Sequence, residues 1–281
     1  KHRKLVIIMN IFGLDAIIGD FQLSNYGLIL SSFENTDSSD EELGMNHDTI
    51  EEYIGQKPVP VYLGSSFHSK LKPTATLIKD PNANINVNKY FTEHECREIL
   101  RQLTGFWGYK RMQIFSYEFD ELLFFNIRVT NVRYQKAAGR IVGIILDMEC
   151  DSPFAWSNDF HYTFQASPSS NLIFFNTSDD LYSYLLPKVT IRSNTAISNL
   201  SITNITDNHW ITSFKSLSAG EVITIDSQNN LLSSSHPSRI ICNDFNMHFI
   251  RLVPGKNEFK VSHNIQITFT YKVPRKVGFV L

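Results

Sequence analysis

Cysteine is scarce in this 281-residue chain. The three present, Cys96, Cys150 and Cys242, are far apart and odd in number, which excludes a fully paired disulfide framework and any CxxC-type zinc or redox motif. The expectation for each is the role of a small buried hydrophobe. An excess of charge of one sign is missing too. The 26 Lys and Arg stand against 28 Asp and Glu, a formal net charge of −2, so nothing draws the chain as a whole toward nucleic acid or an anionic membrane, and neither is expected as a partner. No run approaches the roughly 18 to 20 apolar residues that cross a bilayer as a helix. The start, Lys1-His2-Arg3-Lys4 and then Leu5-Val6-Ile7-Ile8-Met9, imitates a secretory signal, but Asn10 interrupts the run, Asp15 and Asp20 follow, and no A-x-A-like cleavage site appears. An N-terminal strand is the better expectation. The Asn-x-Ser/Thr sequons at Asn176, Asn199 and Asn204 then reflect an Asn-, Ser- and Ile-rich composition.

Signatures of catalysis are also wanting. Neither GxGxxG nor GxxxxGK[ST] occurs, so no glycine loop cradles a phosphate, and there is no GxSxG elbow to present a nucleophile. His94-Glu95-Cys96 fails as HExxH because position 98 is Glu98. His236, Cys242 and His248 match no zinc spacing, and the acids cluster in a polar segment instead of pairing as an acid and a base. No catalytic residue, metal ligand or cofactor-binding residue is assigned, no cofactor is implied, and the chain is not expected to be an enzyme.

What remains is a composition for strands: 42% hydrophobic and 19% charged, with 21 Phe and 11 Tyr against 13 Gly and 10 Pro. The segment from Asn35 to Glu52 gathers Asp37, Asp40, Glu41, Glu42, Asp48, Glu51 and Glu52 and reads as a solvated acidic loop with a short helical turn at its end. Strands are expected over 59–67 and 70–79. Thr92 with Glu95 forms a capping box, and Ile99, Leu100 and Leu103 give the following helix an apolar face that stops near Gly105. Period two then takes over. Phe125, Ile127 and Val129 mark one strand and Val142, Ile144, Leu146, Met148 and Cys150 the next, with Ala137-Ala138-Gly139 as the hairpin connection. Asp151-Ser152-Pro153 breaks the pattern, and the domains are placed at 1–156 and 157–281. Strands follow at sandwich spacing over 162–165, 171–175, 188–192, 196–205, 209–217, 221–226, 239–242, 248–253 and 265–273, with tight turns at 218–220, 228–230 and 254–257. The fold class is mainly β: an N-terminal β-rich domain with one α-helix, then a β-sandwich. Trp107, Trp156 and Trp210 offer a sugar-stacking alternative, in which Trp156 and Trp210 bind carbohydrate for host-cell attachment.

Several stretches carry a resemblance. Phe125-Asn126-Ile127-Arg128-Val129-Thr130, Gly139-Arg140-Ile141-Val142-Gly143 and Glu149-Cys150-Asp151-Ser152-Pro153-Phe154-Ala155-Trp156 come in order in the first half. Gly220-Glu221-Val222-Ile223-Thr224-Ile225-Asp226 and Leu252-Val253-Pro254-Gly255-Lys256-Asn257-Glu258-Phe259 follow in the second. Together they resemble the distal tail proteins of long-tailed bacteriophages and prophages. That resemblance implies a structural virion component at the distal end of the tail, assembled in the host bacterial cytoplasm. Its N-terminal domain would form a six-membered ring and its C-terminal domain would be a galectin-like sandwich. The implied partners are other copies of itself, the tail tube protein, and the tail-associated lysin, tail fibre or baseplate proteins. The Tyr53–Phe67 arm or unpaired edge strands would then sit at subunit borders, and the Asp37–Glu52 segment near the lumen.

Overall fold

The computed structural model describes residues 15–35, 47–55, 59–67, 70–83, 88–105, 108–115, 123–236 and 238–276. The expected strand at Leu5–Met9, the acids from Asp37 to Glu42, Trp107 and Pro237 lie outside the described residues. The chain separates into two units, Lys1–Ser157 with Arg275–Leu281, and Asn158–Pro274. Both are built from antiparallel strands, with one α-helix among the described residues.

The first unit contains β1 (Asp15–Ile18), β2 (Phe21–Gln22), β3 (Leu28–Asn35), β4 (His47–Glu52), β5 (Val61–Phe67), β6 (Pro73–Lys79), α1 (Glu93–Thr104), β7 (Lys110–Phe115), β8 (Phe124–Ala137), β9 (Arg140–Cys150) and β10 (Ala155–Trp156). The main sheet runs β2-β1-β7-β8-β9-β6-β3, and β10 pairs with β8 through Trp156 opposite Phe124. Strand β20 (Pro274–Arg275) also pairs with β10. Alternation explains the core. Leu28 and Leu30, Ala75 and Leu77, and Ile144, Leu146, Met148 and Cys150 send alternate side chains inward, each large one stabilising by roughly 1.5–3 kcal/mol. The expected place of Val142 in that row is corrected. Gln135 pairs with Gly143 but Lys136 with Ile141, so Val142 is an extra residue in a bulge, and the slip turns Ile141 inward in its place. The hairpin tip is a two-residue loop with φ of 49° at Ala138 and 77° at Gly139, the primed turn that suits twisted strands.

Helix α1 begins where the capping box places it. The Glu95 N–H donates to Thr92 Oγ1 at 3.2 Å, and the Thr92 N–H donates to the Glu95 carboxylate at 2.7 Å. Lys79 Nζ meets the same carboxylate at 2.7 Å, so one side chain fixes the helix start to β6. Cys96, Ile99 and Leu103 are buried, and the helix stops at Gly105.

After Cys150 the chain bends. Ser152 Oγ accepts from the Phe154 N–H at 3.1 Å and donates to the Phe154 carbonyl at 2.7 Å. The second unit follows with β11 (Phe160–Ala166), β12 (Leu172–Asn176), β13 (Lys188–Arg192), β14 (Ile197–Asn204), β15 (Trp210–Leu217), β16 (Val222–Asp226), β17 (Leu231–Ser234), β18 (Gly255–Val261) and β19 (Ile265–Tyr271). Two sheets, β11-β19-β13-β16-β17 and β12-β18-β14-β15, form a sandwich around one core that includes Phe174, Phe214, Phe259, Ile267 and Phe269. Strand β19 shows the cause most clearly: Ile265, Ile267, Phe269 and Tyr271 are buried, while Gln266, Thr268 and Thr270 face away.

Some expectations for this unit are corrected. The segment 239–242 carries a 3-10 turn, Ile241–Asp244, in place of a strand. Residues 248–253 make only an isolated bridge, Leu252 to Leu185. Of the tight turn expected at 254–257, residues 255–257 are instead the start of β18. There Asn257 is fully buried: its Oδ1 accepts from the Val253 N–H at 3.0 Å and from Asn204 Nδ2 at 3.2 Å, and its Nδ2 donates to the Val253 carbonyl at 2.8 Å. The sequon residues Asn176 and Asn204 are likewise buried and bonded to backbone groups.

Candidate assembly interface

In the first unit the feature least satisfied by its own fold is the hairpin of β4 and β5. These two strands pair with each other and with no other described strand. The helical turn expected near Glu52 is corrected here, because His47–Glu52 is a strand. Its register shifts between Ile50 and Glu51, where Ile50 pairs with Gly64 and Glu51 with Tyr62. Around its loop Tyr53 is 73% exposed and Val59 69%, and Ile50, Ile54, Tyr62 and Leu63 are exposed as well. A two-stranded ribbon is marginal alone in water, and exposed apolar side chains beside free strand edges are what a contact surface can be built from. Strand β3 adds an edge, since it pairs with β6 only among the described strands. Beside helix α1, a cleft of about 350 Å³ is lined by Tyr26, Phe91 and Ile99 together with Lys79, Glu95 and Glu98.

The two tryptophans singled out from sequence fall in different units. Trp156 is half-buried in β10, paired with Phe124. Trp210 opens β15, and its indole N–H donates to the Phe249 carbonyl at 2.9 Å. The His248 ring stacks on it at 4.4 Å between centroids, and the Arg251 guanidinium lies 3.8 Å from its centroid and 4.1 Å from that of Tyr184. Asp207 anchors Arg251 through Nε at 2.6 Å. The Trp210 ring is thus part of a layered contact of Tyr184, Arg251, Trp210 and His248, in which the cation contributes about 0.5–2 kcal/mol.

Ionisable groups are arranged for structure. Glu221 is fully buried. Burial alone would raise its pKa, but hydrogen bonds from Ser234 and the Ser218 N–H and the charge of Arg239 outweigh that and hold the carboxyl below its usual range. On β9, Asp147 is held low first by its bond to Arg133, against burial, and further by Asn131 and Thr74. Burial pushes the Cys150 thiol up to about 12, and that of Cys96 upward as well, so both act as small hydrophobes. Cys242 does not match that expectation, because the 3-10 turn leaves it exposed. Among the described residues no three His, Cys, Asp or Glu side chains gather as metal ligands, His236, Cys242 and His248 included, and no helix is long and apolar enough to cross a membrane.

Residues 12–152 match a family model described as the phage tail protein N-terminal domain, and residues 154–271 one described as the phage tail C-terminal domain. No curated protein matches the sequence. Among solved structures, the crystal structure of the Dit protein (gp 19.1) of phage SPP1, described as a paradigm of the hub adsorption apparatus in phages infecting Gram-positive bacteria, superposes with a TM-score of 0.63 at 12% identity, covering 92% of this chain and 98% of that one. A chain of the phage P2 baseplate in its activated conformation with Ca is a more distant match, with a TM-score of 0.46 at 8% identity over 95% of this chain and 99% of that one.

Proposed function

This chain belongs to the phage tail protein family, and from that premise we propose that it is a non-enzymatic distal tail protein, a hub in which six copies close into a ring between the tail tube and the tail tip or baseplate with its host-adhesion apparatus. In this reading residues 1–156 form the ring, residues 157–281 form a galectin-like domain outside it, and the tail-associated lysin, tail fibre or baseplate proteins are the distal partners. The observation that carries the reading is the fold shared with the SPP1 Dit protein along nearly the full length of both chains. The β4–β5 hairpin supports it physically. A head-to-tail ring needs one surface on each copy that fits a different surface on the next, and a ribbon with free edges and exposed Ile50, Tyr53, Ile54 and Val59 supplies such a surface. The acids from Asp37 to Glu52 would then face the lumen, where negative charge keeps passing DNA from adhering. Sugar stacking on Trp156 and Trp210 has weaker support, because the Trp210 ring and N–H already have protein partners.

The test is light scattering behind size exclusion, with negative-stain class averages. Six-fold rings are expected, along with their loss on Tyr53→Lys with Ile54→Lys while the unfolding temperature stays unchanged. A monomer at high concentration with no rings in stain refutes the hub reading.

A further inference from the structure

The two outward faces of the sandwich in the second unit differ. On the five-stranded sheet, register sets Thr163, Thr268, Thr190, Thr224 and Ser233 abreast, and the rows on either side are polar except for Val222 and Leu231 on β16 and β17. That is the composition of a solvated face. The four-stranded sheet departs from it. Ile173 and Phe175 project from β12, an edge strand that pairs with β18 only, and Ile211 projects from β15 on the far side. All three are between 44% and 57% exposed. Between them Glu258 lies beside Ile173, the Ile205 N–H donates to the Glu258 carbonyl at 2.8 Å, and Thr203 stands between Lys260 and Ile211. Met247 is exposed next to Asn246 and His248, whose side chains both meet the Ile211 carbonyl. Elsewhere in the unit, exposed apolar side chains occur in the loop that leaves β12 and singly at Leu231 and Ile240.

Charge on this sheet is one-sided. Its four strands carry Lys215, Lys256 and Lys260 against Glu258 as their one carboxylate. Lys256 Nζ already holds Glu258 at 2.8 Å, Lys215 Nζ donates to the Asn243 carbonyl at 2.9 Å, and no described residue pairs with Lys260. An apolar surface with surplus lysine is complemented by an apolar surface with surplus carboxylate. Among the described residues the β4–β5 ribbon is such a surface. Exposed Ile50, Tyr53, Ile54, Tyr62 and Leu63 stand there with exposed Glu51 and Glu52, and neither strand contains Lys or Arg. No described residue pairs with Glu51 or Glu52. A second copy of the sheet face is a poorer match, because it brings lysine to lysine.

We propose that the β4–β5 ribbon of one copy docks on the outward face of the four-stranded sheet of the next, its apolar side chains on Ile173, Phe175 and Ile211 and its Glu51 and Glu52 toward Lys260. Each copy gives one surface and receives on the other, as a heterologous ring contact requires. The proposal rests on the hub reading and refines it: Glu51 and Glu52 serve the contact, and the acids from Asp37 to Asp48 remain for the lumen.

Two variants of the full chain, each spoiled on one side, test it by sedimentation at low salt. Tyr53→Lys with Ile54→Lys removes the ribbon surface, and Ile173→Lys with Phe175→Lys removes the sheet surface. Each alone is expected to stay monomeric. An equimolar mixture is expected to give a one-to-one complex that grows no further, because the intact ribbon of one meets the intact sheet of the other and the remaining pair of surfaces is spoiled. Adding Lys260→Glu to the ribbon variant should weaken that complex at least about threefold, and adding Glu51→Lys with Glu52→Lys to the sheet variant should then restore it to within about twofold. Gln165→Lys, on the other sheet, should change nothing. The substituted side chains lie outside both cores, so unfolding temperatures stay at the wild-type value, and the milder Ile173→Ser with Phe175→Ser should give the same complex. No complex in the mixture up to about 100 μM, or wild-type assembly by the sheet variant alone, overturns the proposal. Six-fold rings that persist in the sheet variant remove this contact and leave the hub reading standing; a one-to-one complex from a chain whose wild type forms no six-fold ring does the opposite.

Discussion

Replacing Glu221 by Gln keeps its shape and removes its charge at the most enclosed carboxylate described in the second unit. Its side chain accepts from the Ser218 N–H at 2.8 Å, from Ser234 Oγ at 2.5 Å and from the Arg239 guanidinium. Arg239, itself 15% exposed, reaches on to Asp244 at 2.9 Å and to the Ser216 carbonyl. One ion pair thereby joins β15, the turn before β16, the end of β17 and the 3-10 turn. Glu221→Gln leaves a largely buried guanidinium short of its main counter-charge and sets an amide N–H₂ where an acceptor is needed, a loss of about 3–5 kcal/mol. Arg239→Met strands the carboxylate instead and costs a similar amount. With both changed, no buried charge is left alone, so the double variant should be well short of the sum, with a coupling of about 2 kcal/mol or more. The pH dependence has a definite sign. The folded-state pKa of Glu221 lies below its usual 4.5, so its stabilisation is complete above that value and is lost as pH falls through the lower folded value. Wild type should therefore lose more stability than Glu221→Gln between about pH 5 and pH 3. Urea unfolding in a Trp107→Phe, Trp156→Phe background, where Trp210 alone reports on its own unit, measures the wild type and the three variants. A single-variant loss under about 1 kcal/mol, or strict additivity, refutes the reasoning.

Asn257→Leu removes the side-chain acceptor of the Val253 N–H, one of the two side-chain donors to the Val253 carbonyl and one acceptor of Asn204 Nδ2; at about 1–3 kcal/mol for a stranded group and less for those that keep a partner, a total of about 2–4 kcal/mol is expected in the same urea assay. In the β8–β9 tip, Ala138 adopts a left-handed φ of 49° next to Gly139, a pair of positions that favours Asn-Gly. Ala138→Asn is expected to stabilise the first unit by about 1 kcal/mol, read as a rise in its thermal midpoint.

Local rules explain what was legible in the sequence. The capping box, the period-two strands, the Ala138-Gly139 turn and the break at Asp151 follow from chemistry within a few residues, and each stands in the structure where those residues are. The misses needed partners far along the chain. Val142 looks inward by parity, but a bulge set by pairing with β8 reverses it. Pro254-Gly255-Lys256-Asn257 has turn composition, yet pairing of β18 with β12 puts Gly255, Lys256 and Asn257 in a strand, and Asn257 is buried only because Val253 and Asn204 surround it. The 239–242 segment reads as a strand by its isoleucines, whereas the Arg239 bonds to Glu221 and Asp244 hold it out of both sheets.

The distribution of polar and apolar groups separates what the chain does for itself from what it offers to others. Both cores are closed, with Phe214, Phe259 and Phe269 in one and Leu77, Met112 and Ile127 in the other at or near zero exposure, so exposed Tyr53, Ile54 and Val59 are not leftovers of a poorly packed fold. Exposed apolar side chains favour a protein neighbour because covering them releases water. Tyr53→Lys with Ile54→Lys should therefore change assembly and leave the thermal midpoint of the first unit intact, because neither side chain belongs to its core. A lowered thermal midpoint in that variant would mean that the two side chains serve the fold and not a contact surface.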